Sequence, residues 1–299
     1  MNNQNPLFSI IIPTYNYAHY LPDTVSSVLQ QSGSDYELIV INDGSTDNTD
    51  DVAAKLLEDN KFIYCSRENR GASATRNQGL TLAKGQYVYF LDSDDKLLDD
   101  ALQTFRETIK NNDSADMLIA RYFSVDKTGK KKERCLWTLP GSREENVKKY
   151  LLNVDYSLLG SSIIYRKHVF DRYQFPEHLR LYEDEPVFSY VLANFNAIKI
   201  EKPVALIQKH EDSLRHRVYH GLVEKSVDEI FSPVRMPESL MKYRNEYLGI
   251  KYLDQFRTLY LAGLYKDAWN QFIQAYPLNS KAALRLNFLR KAIKSWLRK

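Results

Sequence analysis

The segment Tyr87-Val88-Tyr89-Phe90-Leu91-Asp92-Ser93-Asp94-Asp95 runs an apolar, strand-forming stretch directly into three carboxylates. Carboxylates this close repel one another unless a cation or hydrogen-bond donors compensate. Hard divalent ions take carboxylate oxygens together with substrate phosphates, so a metal–diphosphate clamp is one reading. The other is an acidic turn in which Asp94 or Asp95 caps the following helix. A second strand-like run, Tyr36-Glu37-Leu38-Ile39-Val40-Ile41, ends in Asn42-Asp43-Gly44-Ser45-Thr46-Asp47. An Asp fixed at a strand end can accept a hydrogen bond from a base edge, and Gly44 permits a tight turn and close backbone approach to a ligand. A plain turn followed by an Asp47 helix cap is the alternative.

These groups need a scaffold that gathers strand ends. The first 120 residues alternate short apolar or β-branched runs with helix-like stretches, the pattern of a parallel sheet covered by helices. Strands are expected at 8–12, 37–41, 62–65, 87–91 and 117–122. Helical faces are carried by Leu21, Val25, Val28 and Leu29, by Val52, Leu56 and Leu57, and by Leu80 and Ala83. Polar residues cluster at 14–16, 42–47 and 92–95, where strands end, and open α/β sheets bind ligands beyond those carboxyl ends. Residues 126–143 read as a Lys-rich hairpin or mobile loop. Beyond it come a helix at 144–152, an apolar run at 162–165, a helix at 184–193 and two strands at 197–200 and 204–208. Helices are expected at 223–231, 237–247, 253–262, 266–275 and 280–299.

With those blocks in view, the chain resembles a family 2 glycosyltransferase of the glycosyltransferase-A fold, an α/β, Rossmann-like nucleotide-diphospho-sugar transferase domain. The blocks are Ser9-Ile10-Ile11-Ile12-Pro13-Thr14-Tyr15-Asn16, Asn42 to Asp47, Asn69-Arg70-Gly71 with Arg76-Asn77-Gln78-Gly79, and Asp92 to Asp95, in that family's order and spacing. The resemblance implies a catalytic domain over 1–213, divided into a nucleotide-sugar half (1–122) and an acceptor half (123–213), followed by a helical region at 214–299. It implies that Pro13, Thr14, Tyr15 and Asn16 line a nucleotide pocket, that Asp43 hydrogen-bonds uracil, and that Asn69, Ser93 and Arg76 lie close to the donor. Asp92 and Asp94 resemble the two acids of a metal motif for Mn²⁺ or Mg²⁺. Leu181-Tyr182-Glu183-Asp184-Glu185-Pro186 is similar to the family's Glu-Asp signature. Inverting transfer needs one carboxylate to remove the acceptor hydroxyl proton, and Asp184 is the expected base, with Glu183 able to hold a sugar instead. A helix N-terminus explains the same acids, since Pro186 suits a first turn and negative charge favours that end. His210 stands where relatives carry a basic residue near the diphosphate.

Composition fits an ordinary soluble globular protein: 299 residues, 43% hydrophobic, 26% charged, 11 Gly and 10 Pro. No apolar run reaches the ~18 residues of a membrane span and the N-terminus carries no signal-peptide pattern, so a cytoplasmic location is expected. Neither Cys65 and Cys135 nor the six His have zinc-ligand spacing. Charge is graded: residues 1–100 hold 7 Lys/Arg against 15 Asp/Glu, and residues 242–299 hold 12 against 3. Residues 280–299 carry seven cations, no acid and an apolar stripe of Leu286, Leu289, Ile293, Trp296 and Leu297. This helix reads either as an element for an anionic membrane surface or as a terminal helix docked on the body; no nucleic acid is expected. The expected function is metal-dependent transfer from a UDP-sugar to a growing, lipid-linked surface glycan, a lipopolysaccharide or capsule precursor, on the inner face of a membrane. Rivals are a non-catalytic carbohydrate-binding scaffold and a Mg²⁺-dependent phosphatase or nucleotidyltransferase.

Overall fold

The computed structural model describes residues 5–134, 138–139, 141–153, 158–209 and 222–298. Alternation in the first strands sends side chains to two faces. Phe8, Ile10 and Ile12 of β1 (Phe8–Thr14), Leu38 and Val40 of β2 (Tyr36–Asn42), and Tyr87 and Tyr89 of β4 (Tyr87–Phe90) enter one core. Ile11, Ile39, Ile41, Val88 and Phe90 enter the other. β3 (Ile63–Ser66) forms the edge. These four strands pair in parallel in the order β3-β2-β1-β4, with Thr14 opposite Asn42, so their carboxyl ends meet along one edge of the sheet.

The sheet continues through β8 (Ile163–Arg166), β6 (Met117–Val125), β9 (Ala197–Gln208) and β5 (Lys96–Leu97), while β7 (Lys131–Arg134) pairs with β6. β8 lies antiparallel between β4 and β6, so the sheet is mixed. The Lys-rich loop is thus a β6–β7 hairpin with its turn at Asp126. The two strands expected at 197–200 and 204–208 are one, β9, whose pairing with β6 shifts register around Arg121 where Pro203 interrupts the ladder.

Helices α1 (Leu21–Leu29), α2 (Thr49–Asp59) and α4 (Ala101–Asn111) cover the first face, with Leu21, Val25, Val28, Leu102 and Phe105 fully buried. The other face carries α3 (Ala72–Leu82), α5 (Arg143–Leu152) and α6 (Asp184–Asn194). Then follow α7 (Leu222–Ile230), α8 (Glu238–Met241), α9 (Arg244–Leu261), α10 (Tyr265–Leu278), α11 (Ser280–Ala283) and α12 (Leu286–Arg298). The helices expected at 237–247 and 253–262 are in fact short α8 and a continuous α9. Gly249 sits in the middle of α9 because a Cβ there would lie 2.8 Å from Asn279 at the start of α11. One cluster of buried residues runs from Ile11 through Val187 and Phe256 to Ala292, so the C-terminal helices share a core with the sheet. No helix among the described residues is long and apolar enough to cross a membrane.

α12 docks by a narrow face. Phe288 and Ala292 are buried in that core, Phe288 lying 6.2 Å from the Phe256 ring, whereas Trp296 and Leu297 are 52% and 68% exposed. The expected apolar stripe therefore does not face the body: Leu286, Ile293, Trp296 and Leu297 are exposed among the cations, and the docked face is instead Phe288, Ala292 and Ser295.

Candidate active site

The nucleotide-side residues gather where β1 and β2 end. Asn16, at φ +58°, links the two loops: its Oδ1 accepts from the Thr46 amide at 2.7 Å and its amide donates to Ser45 Oγ at 2.9 Å. The Asp43 amide donates to the Thr14 carbonyl at 2.9 Å. Pro13 is half-buried and Thr14 buried, while Tyr15 is exposed. Thr14 Oγ1 is buried and makes no hydrogen bond among the described residues. Asp43, 4% exposed, is held by four donors. Oδ1 accepts from Arg67 Nε (2.9 Å), Arg67 Nη2 (2.7 Å) and the Arg70 amide (3.0 Å), and Oδ2 accepts from the Gly71 amide (2.7 Å). Asn69 Nδ2 donates to the Asp43 carbonyl at 2.8 Å. Gly44, at φ +72°, serves the chain itself: a Cβ there would lie 2.7 Å from the Asn69 amide nitrogen. Asp47 is not the N-cap of α2, which is Asn48; from one residue earlier it accepts from the Thr49 amide at 3.1 Å and from the Ala18 amide at 3.0 Å, tying the loop to the residues after β1.

Asp92, Asp94 and Asp95 follow β4, with one oxygen from each within 4.8 Å of the others. The helix-cap alternative for Asp94 and Asp95 fails, because the chain enters β5 first and α4 begins only at Ala101. Asp95 is buried, accepts from the Gln208 amide at 3.1 Å and from the Ser161 hydroxyl, and is pushed well above the usual carboxylate range by burial and by Asp94 and Asp92. Ser161 also accepts from the Asp92 amide at 3.1 Å, bracing both ends of the cluster. Ser93 is buried and its carbonyl accepts from Thr24 Oγ1 at 2.8 Å, which anchors the turn to α1. Surrounding protein and Asp94 lift the Asp92 carboxyl above its ordinary value, with Arg76 opposing. Even so, 46% of the Asp92 side chain stays open to solvent.

Arg76 of α3 joins this cluster to the second half of the chain. Its Nη2 donates to Asp92 Oδ1 at 3.2 Å and its Nη1 to Glu183 Oε1 at 2.8 Å, and its guanidinium lies 5.3 Å from the Phe175 ring centre. Burial disfavours its charge, but Asp92, Glu183 and Asp184 together hold its pKa above the ordinary value. Asp184 opens α6, and no side-chain cap bond is made by the preceding Glu183, so the acids there sit in the first turn without acting as a cap. The Asp184 carboxyl is pushed up to about 7 by burial and by the charges of Glu183 and Glu185, against Arg76. His210 lies outside the described residues.

Arg67, which holds Asp43, and Ser161, which holds Asp92 and Asp95, stand outside the residues expected from the sequence. Arg67 follows β3, so the strand-end rule alone could have flagged it. Ser161 carries no pattern.

Residues 9–174 match the family model described as Glycosyl transferase family 2. The putative teichuronic acid biosynthesis glycosyltransferase TuaG of Bacillus subtilis (strain 168) is 44% identical over 105 residues, 34% of this chain and 42% of its own length. The chain thus matches about two-fifths of the length of such relatives. S. aureus TarS 1-349 in complex with UDP-GlcNAc superposes with a TM-score of 0.61 at 19% identity, covering 96% of this chain and 79% of that one. The mannosyltransferase PcManGT from Pyrobaculum calidifontis, in complex with GDP-Man and Mn²⁺, gives a TM-score of 0.56 at 14% identity, covering 98% and 85%. Both likenesses establish the glycosyltransferase-A architecture.

Proposed function

The chain belongs to glycosyl transferase family 2, and from that premise we propose that it moves a sugar from a nucleotide diphosphate donor, a UDP-sugar, to a hydroxyl of a growing surface glycan with inversion at the anomeric carbon. The observation that carries this reading is Arg76, which ties the acidic strand end to the Glu183-Asp184 turn. Donor-side acids and a carboxyl group poised near neutrality thereby share one site. Asp184 removes the acceptor proton as the hydroxyl oxygen attacks the anomeric carbon, and the bond to the diphosphate breaks on the opposite face. A base poised near neutrality suits that transfer at physiological pH. Such a base also favours an enzyme over a carbohydrate-binding scaffold.

For the nucleotide, Asp43 Oδ2 carries one donor among the described residues, and a carboxylate oxygen accepts two, which leaves capacity for the N–H of a uracil. A TarS complex with UDP-GlcNAc favours a UDP-sugar, and the PcManGT complex makes GDP-mannose the competing donor. The three carboxylates are the hard oxygen set that Mn²⁺ or Mg²⁺ takes, and Asp94 and Asp92 would hold the ion. Bound there, it would offset charge developing on the leaving diphosphate. The naming of TuaG for teichuronic acid supports a surface-glycan acceptor, lipid-linked in our reading, as of a lipopolysaccharide or capsule. The exposed half of α12 supports a location at the anionic inner face of the membrane.

The test is nucleotide release from a panel of UDP- and GDP-sugars, with and without glycan acceptors, for the natural chain and Asp184→Asn. The variant should keep donor binding and lose about 10²–10⁴-fold in kcat. Binding of UDP without consumption of any donor fits the scaffold and defeats the enzyme reading.

A further inference from the structure

The turn that carries Asp184 is gripped from both sides. Arg76 holds Glu183 on one side. On the other, the carboxylate of Glu185 takes two donors from α9: Lys251 Nζ on Oε1 at 2.6 Å and the Tyr247 hydroxyl on Oε2 at 2.9 Å. Tyr247 and Lys251, four residues apart, share one helical face. The Lys251 side chain is only 7% exposed, and its Nζ lies 4.1 Å from the Tyr182 ring centre. A second carboxylate, Asp254, is 4.0 Å away and mostly in solvent. Tyr182, just before the acids, has φ +61°, a left-handed conformation that bulky residues seldom adopt. A buried ion pair is a poor way to gain stability, since apolar residues of similar volume serve as well or better. What this pair does have is a neighbour in the chain, Asp184.

We propose that Lys251 and Tyr247 are positioning residues for the reaction, acting through Glu185 to orient the first turn of α6 and to balance the charge beside Asp184. The inference rests on Asp184 being the base. It makes α9, which lies outside the family match ending at residue 174, a working part of the site. Glu185 favours retention of the Asp184 proton and Lys251 offsets it. The other ionisable groups facing Asp184 are Glu183 on its own turn, Arg76 from α3, Tyr150 from α5 and Tyr165 from β8.

The experiment titrates Asp184 in the full chain by ¹³C NMR of carboxyl-labelled aspartate, its resonance assigned by loss in Asp184→Asn. The pH dependence of nucleotide release from the best donor is measured alongside. Glu185→Gln should move the Asp184 midpoint down and Lys251→Met should move it up, each by about one pH unit, with the double variant near wild type. Lys251→Met should lose about fivefold in kcat at pH 7 with donor KM unchanged, and recover in alkaline buffer. A merely structural pair would lower activity without opposite shifts. Should Lys251→Met fail to fold, Tyr247→Phe, which removes a donor but no charge, should raise the midpoint in the same sense. A midpoint unmoved in every variant that folds overturns the inference. Wild-type turnover by Asp184→Asn overturns the base assignment instead, and leaves the titration result standing.

Discussion

Replacing Arg76 with Met keeps the length of the side chain and removes the cation that links Asp92 to Glu183. The Arg76–Glu183 pair is 12% and 15% exposed, so Glu183 would be left with an uncompensated charge in a poorly hydrated place. Asp92, 46% exposed, can be rescued by water, so most of the loss falls on the Glu183 side. Breaking a buried pair by removing one partner costs about 3–5 kcal/mol, and the open Asp92 places this case near 3 kcal/mol. For a chain of 299 residues that corresponds to a fall in Tm of about 5 °C, readable by circular dichroism. Arg76 also lowers the Asp184 pKa, which stands at about 7. Its removal should move the acid limb of the kcat profile to higher pH by about one unit, because Asp184 must lose its proton before it can act as a base. An Arg76→Met protein with an unchanged Tm and an unmoved acid limb would refute the bridge as described.

Asp43→Ala strands two Arg67 donors and the Arg70 and Gly71 amides, so it should destabilise the chain by about 3 kcal/mol in urea unfolding and abolish UDP binding by calorimetry. Chelation should abolish transfer and Mn²⁺ or Mg²⁺ restore it, while Asp94→Ala should weaken UDP affinity chiefly when metal is present; full activity after exhaustive chelation would rule out the clamp. Deleting residues 280–299 should destabilise the fold, because Phe288 and Ala292 fill the core, whereas Trp296→Ser with Leu297→Ser should leave Tm unchanged and weaken sedimentation with anionic vesicles. Salt should weaken that binding too, the attraction decaying over about 8–10 Å.

Local pattern made the first half of the fold legible. Phe8, Ile10 and Ile12 alternate with Ile11 because the strand is buried on both faces, and the acids follow the strands because the ligand edge does. Lys96–Leu97 was not legible as a strand, since two residues carry no period and only pairing with Ala205 and Leu206 defines it. The gap between the helices expected at 237–247 and 253–262 falls around Gly249, which in the fold is a contact point within the continuous α9. At the candidate site, Asp43, Asp92, Asp94 and Asp184 stand out in the sequence by type and context. Their electrostatics were not, because Arg76 meets Glu183 across 107 positions and Lys251 meets Glu185 across 66. Such pairs are products of folding, and no spacing rule encodes them.

A single displacement driven by Asp184 inverts the anomeric carbon, so the stereochemistry of the first product distinguishes it from any double displacement. Product formed from an α-linked donor and a defined acceptor should be isolated and read by proton NMR. A β linkage, read from the anomeric coupling, is the predicted result, and an α-linked product would contradict it.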